Sequence, residues 1–207
     1  TVVPSSCHRL VYAEQEITGE ELPVQAVRLK NQSSLKLGLN HLMDGKLSAF
    51  LSLANTGALV LASSFVLGRI KGIHGPALVA LFPSMGKEVA ALDVGAYPKD
   101  TPERYQELVS LGVSYYQARF SCDKPIVGLL NIGHEATKGT DTLRQADYLL
   151  KVSPNEGYSY FGFVEPIDIF QGSVDVAVTD GFTGNVLLKT AEGAQEFLHR
   201  FHKTPKV

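Results

Sequence analysis

The chain has 207 residues, of which 44% are hydrophobic and 19% charged, and its formal net charge is −2. This composition is typical of a globular protein and lacks the basic excess of a nucleic-acid-binding protein. No apolar run approaches the roughly 20 residues of a membrane-spanning helix, and Cys7 and Cys122 form no CxxC pair, which together predict a reducing, cytoplasmic location.

The hydrophobic pattern predicts short apolar strands that alternate with helices along the chain. The predicted strands are, in chain order, 10–13, 49–53, 77–82, 89–94, 126–132, 158–163 and 174–180. Three helices are predicted in the first part of the chain: Pro23–Leu29, a helix that Ser33 or Ser34 caps and that ends near Gly45, and Thr56 to about Leu67. Three more follow: a helix that starts at Thr101-Pro102-Glu103, the helix Asp141–Val152, and a last helix with Leu187 to Phe201 on one face.

Strands without strict alternation of apolar and polar residues, separated by helices, are typical of a mostly parallel sheet covered on both faces. The segment PSMGKE, at 83–88, is a hairpin-like connection between two predicted strands. We therefore predict an α/β fold in three layers, with residues 1–207 as a single unit.

Four apolar runs end in similar small and polar residues, in the segments 53–58, 92–97, 129–139 and 178–185. In open parallel sheets, ligands lie beyond the carboxyl ends of the strands, and helices that begin there at Thr56 and Thr183 would direct positive dipole ends at an anion. The sequence thus predicts a phosphate site beside a polarised carbonyl. The candidate substrate-binding residues are Asn55, Thr56, Gly57, Asp93, Gly95, Asn131, Gly133, Asp180, Thr183 and Gly184, with a charge from Lys138 and an amide donor from Asn185.

Each of these features also has a purely structural interpretation. Asp93 and Asp180 can cap a helix or close a turn, and Lys138 can be a solvated lysine. His134 is an open candidate for a ligand contact, whereas the other histidines show no metal-ligand spacing. The chain contains no GxGxxG, Walker, HExxH or GxSxG motif, which argues against a dinucleotide dehydrogenase, an NTPase, a zinc protease and a serine hydrolase.

Four longer segments carry a more specific signal: LANTGALVLASSFVLGRIKGIHGPAL, LDVGA, VGLLNIGHEATKGTDTLRQA and DVAVTDGFTGNVLLKTAEG. In this order they resemble the bacterial phosphate acyltransferase family of phospholipid synthesis, over about residues 22–193. The resemblance implies the isocitrate/isopropylmalate dehydrogenase-like α/β fold that phosphotransacetylases share. It also implies that the chain corresponds to the middle of the family's length, without the first strand motif and the C-terminal portion.

The resemblance implies transfer of a long-chain acyl group from acyl-carrier protein to inorganic phosphate, which gives acyl phosphate. The family's catalytic lysine and asparagine fall on Lys138 and Asn185, which would offset the phosphate charge and donate to the oxyanion. A phosphate cradle would be completed by the backbone amides of Thr56, Gly57, Thr183 and Gly184. No cofactor or metal is expected. The resemblance also implies a homodimer in the cytoplasm that is loosely associated with the inner membrane.

The chain departs from the family's usual residues at several positions near the expected site: Ala54, His74-Gly75, Tyr97-Pro98-Lys99, Thr140, Phe163 and Ile167. Two alternatives therefore stay open. The first is a short-chain phosphotransacetylase that uses a coenzyme A thioester. The second is a shortened, non-catalytic relative that binds carrier protein.

Overall fold

The computed structural model describes residues 9–153 and 156–203. Cys7 lies outside these ranges, and Cys122 is a free thiol. The chain divides between Pro76 and Ala77 into an N-terminal unit and a C-terminal unit, and the single α/β unit over residues 1–207 stays a prediction. Among the described residues, no helix is both long enough and apolar enough to cross a membrane.

The N-terminal unit contains three helices within its described residues: α1 (Pro23–Leu29), α2 (Ser34–Met43) and α3 (Thr56–Val66). Ser33 caps α2, and Asn55 caps α3 by accepting a hydrogen bond from the Ala58 amide at 3.1 Å. The helices pack through one apolar cluster, formed by Val27, Leu35, Leu39, Ala58 and Ala62. The three helix predictions in this part of the chain are therefore confirmed.

The two strands predicted for the N-terminal unit, 10–13 and 49–53, are wrong. Both segments are irregular, and the side chains of Leu10, Leu51 and Leu53 are at least nine-tenths exposed. A strand needs a neighbour to accept and donate its backbone hydrogen bonds. In the described part of this unit the only strand-like pairing is an isolated bridge between Gln15 and Ser33, so the apolar pattern of 49–53 has no sheet to enter.

The described part of the C-terminal unit forms a sheet with the strand order β1-β2-β5-β3-β4. The strands are β1 (Val79–Pro83), β2 (Glu88–Leu92), β3 (Ile126–Leu130), β4 (Ser159–Val164) and β5 (Val176–Val178). β1 and β2 form the predicted hairpin and pair antiparallel, whereas β2, β5, β3 and β4 all run parallel. The mostly parallel sheet is therefore confirmed.

Helices cover both faces of this sheet. One face packs against α4 (Pro102–Phe120) and α5 (Asp141–Val152), through a core that includes Leu108, Val127 and Leu129. The other face packs against α6 (Pro166–Gln171) and α7 (Gly181–Lys203), through a core that includes Val164, Ile169 and Val174. The predicted three-layer α/β architecture is thus confirmed. The sequence analysis missed α6, which is only six residues long.

Close approach of α4 to the sheet depends on a glycine in the middle of the helix. A Cβ at Gly112 would lie 2.6 Å from Val176 Cγ1 and 3.2 Å from Leu92 Cδ1. Because glycine weakens a helix interior by about 1 kcal/mol relative to alanine, its presence here is explained by packing. Gly193 in α7 is different, since nothing lies within 4 Å of the position of its Cβ.

We expect Gly112→Ala to lower the free energy of unfolding by about 1–3 kcal/mol, because the added methyl overpacks the interface between α4 and the sheet. Gly193→Ala is the matched control and should raise the free energy of unfolding by about 0.5–1 kcal/mol. Urea unfolding of the three proteins measures both changes. Equal stability of Gly112→Ala and the parent chain would contradict this packing argument.

Candidate functional site

Three of the four predicted strand ends lie side by side in the C-terminal unit. β5 lies between β2 and β3, and Val178 is in register with Leu92 on one side and Leu129 on the other. Because these strands are parallel, the segments that follow them leave the same edge of the sheet. The fourth strand end, with Asn55, Thr56 and Gly57, belongs to the N-terminal unit.

Asp93 holds the loop after β2 in place. Its side chain is fully buried, and its carboxylate accepts hydrogen bonds from the amides of Leu78, Gly95, Ala96 and Tyr97 at 2.9–3.1 Å. Gly95 has φ +140°, a conformation that side chains rarely adopt. The amides of this loop therefore donate to the Asp93 carboxylate of the protein itself. Of the two roles that the sequence allowed for Asp93, ligand binding or closing a turn, the structure shows the second.

The start of α7 is fixed in the same way. Asp180 caps the helix, because its carboxylate accepts hydrogen bonds from the Thr183 amide at 2.9 Å and the Thr183 hydroxyl at 2.8 Å. The Gly184 amide donates to the Asp180 carbonyl at 2.9 Å. The amides of Thr183 and Gly184, expected to bind phosphate, are thus used within the helix N-terminus.

Two glycines allow α7 to start directly against the loop after β2. A Cβ at Gly181 would collide with the Tyr97 carbonyl oxygen, and one at Gly184 would collide with the Asp93 carbonyl oxygen. Asn185 follows these contacts and has an exposed side chain. Its Cγ lies 3.6 Å from the position that a Cβ on Gly95 would occupy. The structure therefore brings Asn185, Gly95 and Asp93 together.

Lys138 lies on the segment after β3 and is exposed. Its amide donates to the Glu135 carbonyl at 3.0 Å, and its Cγ lies 3.2 Å from the position of a Cβ on Gly133. Within the described ranges, the Lys138 amino group forms no ion pair. Lys138 and Asn185 are therefore free to contact a ligand, in contrast to the aspartates beside them.

Asn131 is the first residue after β3 and is 6% exposed. Its Oδ1 atom accepts a hydrogen bond from the Ile132 amide at 2.8 Å, while its Nδ2 atom is buried without a hydrogen-bond partner. A Cβ on Gly139 would lie 2.6 Å from this Oδ1, and the φ of Gly139 is +84°, so a side chain at this position would be strained. Gly133 and Gly139 thus shape the segment that carries Lys138.

His134 anchors this segment to α6, through a contact that the sequence analysis missed. His134 Nε2 lies 2.6 Å from Asp168 Oδ2, and the same carboxylate accepts the Glu165 amide in the capping box of α6. The hydrogen bond to Asp168 raises the pKa of His134. Burial works against the charged form of Asp168, but the hydrogen bonds from His134 and the Glu165 amide leave its pKa lowered.

The signs of these two pKa shifts define a pH window. A raised histidine pKa contributes stability that is fully present below the ordinary value of 6.5 and is lost as the pH rises through the shifted value. A lowered carboxylate pKa contributes stability that is present above the ordinary value of 3.8 and is lost on acidification. The His134–Asp168 contact therefore holds the Lys138 segment best in mildly acidic to neutral solution.

A second carboxylate in the region carries a shifted pKa. The side chain of Asp100 is 4% exposed, its Oδ2 atom has no hydrogen-bond partner, and Arg104 Nε lies 4.0 Å from Oδ1. Burial raises the pKa of Asp100 to about 6, against the attraction of Arg104 and with smaller contributions from Asp93 and Asp180. Burial and the Asp180 carboxylate also raise the pKa of the Tyr105 hydroxyl.

Asn55, Thr56 and Gly57 form the start of α3 in the N-terminal unit. The Asn55 side chain caps the helix through its Oδ1 atom, which accepts the Ala58 amide, so the cap does not use its Nδ2 donor. The amides of Thr56 and Gly57 donate no hydrogen bond within the described residues. A cavity of about 860 Å³ in this unit is lined by Phe50 to Thr56 together with residues near Glu16 and Ser34. The free amides fit the predicted role in phosphate binding, which stays a prediction.

Residues 3–205 match a family described as fatty acid synthesis protein. The chain is 40% identical over 195 residues to a phosphate acyltransferase of Acetivibrio thermocellus, which is 94% of the chain and 57% of that relative. It is 40% identical over 192 residues to a phosphate acyltransferase of Chlamydia pneumoniae, which is 93% of the chain and 59% of that relative. The chain thus spans less than two thirds of the length of these curated relatives.

Two solved structures share the fold. The EutD phosphotransacetylase from Staphylococcus aureus aligns with a TM-score of 0.60 at 16% identity, over 86% of this chain and 60% of that one. A branched-chain phosphotransacylase from Enterococcus faecalis V583 aligns with a TM-score of 0.62 at 13% identity, over 84% of this chain and 82% of that one. The predicted fold, shared with phosphotransacetylases, is therefore confirmed.

The raised pKa of Asp100 generates a prediction about stability and pH. Because the folded-state pKa is about 6 and the ordinary value is 3.8, the native state binds more protons than the unfolded state between these values, and stability falls as the pH rises through them. We expect Asp100→Asn to raise the free energy of unfolding at pH 7.5 by up to about 3 kcal/mol. As the pH falls below 3.8 the gain should approach zero, since Asp100 then becomes protonated in the unfolded state as well as in the folded state.

Urea unfolding at pH 7.5 and pH 3.5 measures this difference, provided that the parent chain is folded at both values. Asp123→Asn, at an exposed position, is the matched control and should show no gain that depends on pH. A gain of equal size at the two pH values would contradict a burial cost on the Asp100 charge.

Proposed function

The chain belongs to the fatty acid synthesis protein family, which confirms the resemblance found in its sequence, and we propose that it is a phosphate acyltransferase. The proposed reaction transfers a long-chain acyl group from acyl-carrier protein to inorganic phosphate. One observation carries the proposal. At the edge where β2, β5 and β3 end, the neighbouring aspartates are used as structural acceptors, whereas Lys138 and Asn185 have free polar groups.

The reaction needs a phosphate site and an oxyanion donor rather than an activated side chain. Phosphate is already an anionic nucleophile near neutral pH. One of its oxygens attacks the thioester carbonyl carbon, the new C–O bond forms, and the C–S bond breaks with its electron pair on sulfur, which then takes a proton from water. In this proposal Lys138 offsets the charge of the phosphate, and the Asn185 amide donates to the tetrahedral oxyanion.

The remaining candidate residues support these two side chains. Asp93, Gly95, Asp180, Thr183 and Gly184 fix the start of α7 and therefore the position of Asn185. Asn131 and Gly133 shape the segment of Lys138. The N–H and O–H groups that donate to Asp93 and Asp180 offset part of the negative field of these carboxylates at an incoming phosphate. Within the N-terminal unit, the free amides of Thr56 and Gly57 stay our candidates for phosphate binding.

The proposed partners follow from the same reaction. They are acyl-carrier protein, inorganic phosphate and a second copy of the chain in a homodimer. We place the reaction in the cytoplasm, with loose association with the inner membrane. The chemistry as written uses no cofactor or metal, because no electron transfer occurs and phosphate needs no activation.

We expect Asn185→Asp to lower phosphate-dependent release of carrier thiol from palmitoyl-acyl-carrier protein by about 100-fold or more, since one oxyanion donor is worth 10²–10³ in rate. Lys138→Ala should cause a loss of about the same size, because the phosphate then lacks the positive charge that offsets its own. Asn185→Asp keeps the shape of the side chain but removes its donor. The matched control is Lys124→Ala, at another exposed lysine of the same unit, which should retain nearly full activity.

The same assay separates the alternatives. Full activity of both variants would show that the residue assignment is wrong. Release from acetyl-coenzyme A in preference to the long-chain substrate would favour a short-chain phosphotransacetylase. A folded protein that releases no thiol from either substrate would favour a non-catalytic relative.

A further inference from the structure

A largely apolar cavity of about 610 Å³ lies beside α7 in the C-terminal unit. Its walls come from α7, from α6 and from the start of α5, and most of its lining side chains are apolar, including Leu143, Phe170, Val186, Leu187 and Ala194. A cavity with apolar walls and few polar groups is typical of a site for an apolar small molecule. No side chain among the described residues of this unit fills the cavity.

Two residues of the wall place the cavity beside the side chains of the proposed reaction. Gly139 lines it and directly follows Lys138, and Val186 lines it and directly follows Asn185. The cavity is therefore adjacent to the segments that carry both side chains with free polar groups. Thr183 and Asp180 also line it, but their polar atoms are engaged with each other in the cap of α7.

Asn131 supplies an independent observation that indicates a ligand. It lines the cavity, and its Oδ1 is held by the Ile132 amide, while its Nδ2 has no partner. Buried N–H donors in native proteins are nearly always paired, so this amide lacks an acceptor that a ligand can supply. Rotation about the broad last torsion of the asparagine side chain would bring Nδ2 to a carbonyl oxygen in the cavity in exchange for the Oδ1–Ile132 hydrogen bond.

We propose that this cavity binds the acyl chain of the thioester, with the Asn131 amide donating to the acyl carbonyl oxygen. This inference rests on the proposed function and adds where the substrate's apolar part is bound. An acyl chain is the occupant that combines a long apolar body with one carbonyl acceptor at its end. Small side chains on the wall, at Ala191 and Ala194, then set the length of chain that the cavity accepts.

Ala194→Phe tests the proposal, because Ala194 lines the cavity and is exposed, so that a larger side chain narrows the cavity without entering the core. Gln195→Phe is the matched control, since it adds the same ring at the next exposed position, outside the lining. Thr190→Phe, at a second exposed lining position, repeats the test if Ala194→Phe does not fold.

The first readout is fluorescence titration with cis-parinaric acid, which needs no turnover. We expect Ala194→Phe to weaken binding about 10-fold or more, equivalent to about 1.4 kcal/mol, and Gln195→Phe to leave it within about 2-fold of the parent chain. Absence of binding to the parent chain, or equal binding by Ala194→Phe, would overturn the proposal.

The second readout is phosphate-dependent thiol release from palmitoyl- and hexanoyl-acyl-carrier protein. Ala194→Phe should lose activity on the palmitoyl substrate and keep it on the hexanoyl substrate. If Ala194→Phe loses the same share of activity on the palmitoyl and the hexanoyl substrates, the inference is overturned while the proposed function stands. Loss of probe binding in Ala194→Phe, without release by the parent chain, would support the acyl site and reject the proposed function.

Discussion

The buried carboxylate of Asp93 is the interaction on which the arrangement of the site depends. It binds the Leu78 amide, which immediately precedes β1, and three amides of the loop after β2. That loop in turn presents the Tyr97 carbonyl to the Gly181 amide at 2.8 Å, at the first residue of α7. One charged group, paired entirely with backbone donors, therefore links the hairpin, the central strands and the helix that carries Asn185.

This arrangement separates residues that hold the backbone from residues that can contact a ligand. The carboxylate oxygens of Asp93 and Asp180 already accept hydrogen bonds from groups of the protein, so these side chains are suited to fix positions rather than to bind phosphate. At Gly181 and Gly184, the absence of a side chain makes room for a neighbouring carbonyl oxygen. These glycines therefore do not serve to expose amides to an anion. Only side chains that project beyond this layer, such as Lys138 and Asn185, remain available for chemistry.

The sequence predicted best those features that depend on neighbours along the chain. The cap by Thr101, the bounds of α5 and the apolar strand β3 are local signals, and all are present. The segment 49–53 was predicted as a strand from its apolar residues alone, but a strand also needs a partner elsewhere in the chain. The His134–Asp168 contact joins residues 34 positions apart, and the use of the Thr183 amide by Asp180 depends on side-chain geometry, so neither follows from spacing.

The departures from the family's usual residues bear less on the site than their sequence positions imply. Tyr97 acts at the loop through its amide and carbonyl, which any residue other than proline supplies, and its ring lies 5.5 Å from the Arg104 guanidinium. Phe163 is 5% exposed and belongs to the core beneath α4 and α5. Thr140 lines the apolar cavity and caps α5 by accepting the Leu143 amide at 3.2 Å. Tyr97, Phe163 and Thr140 thus each occupy a scaffolding position whose physical task the residue present performs.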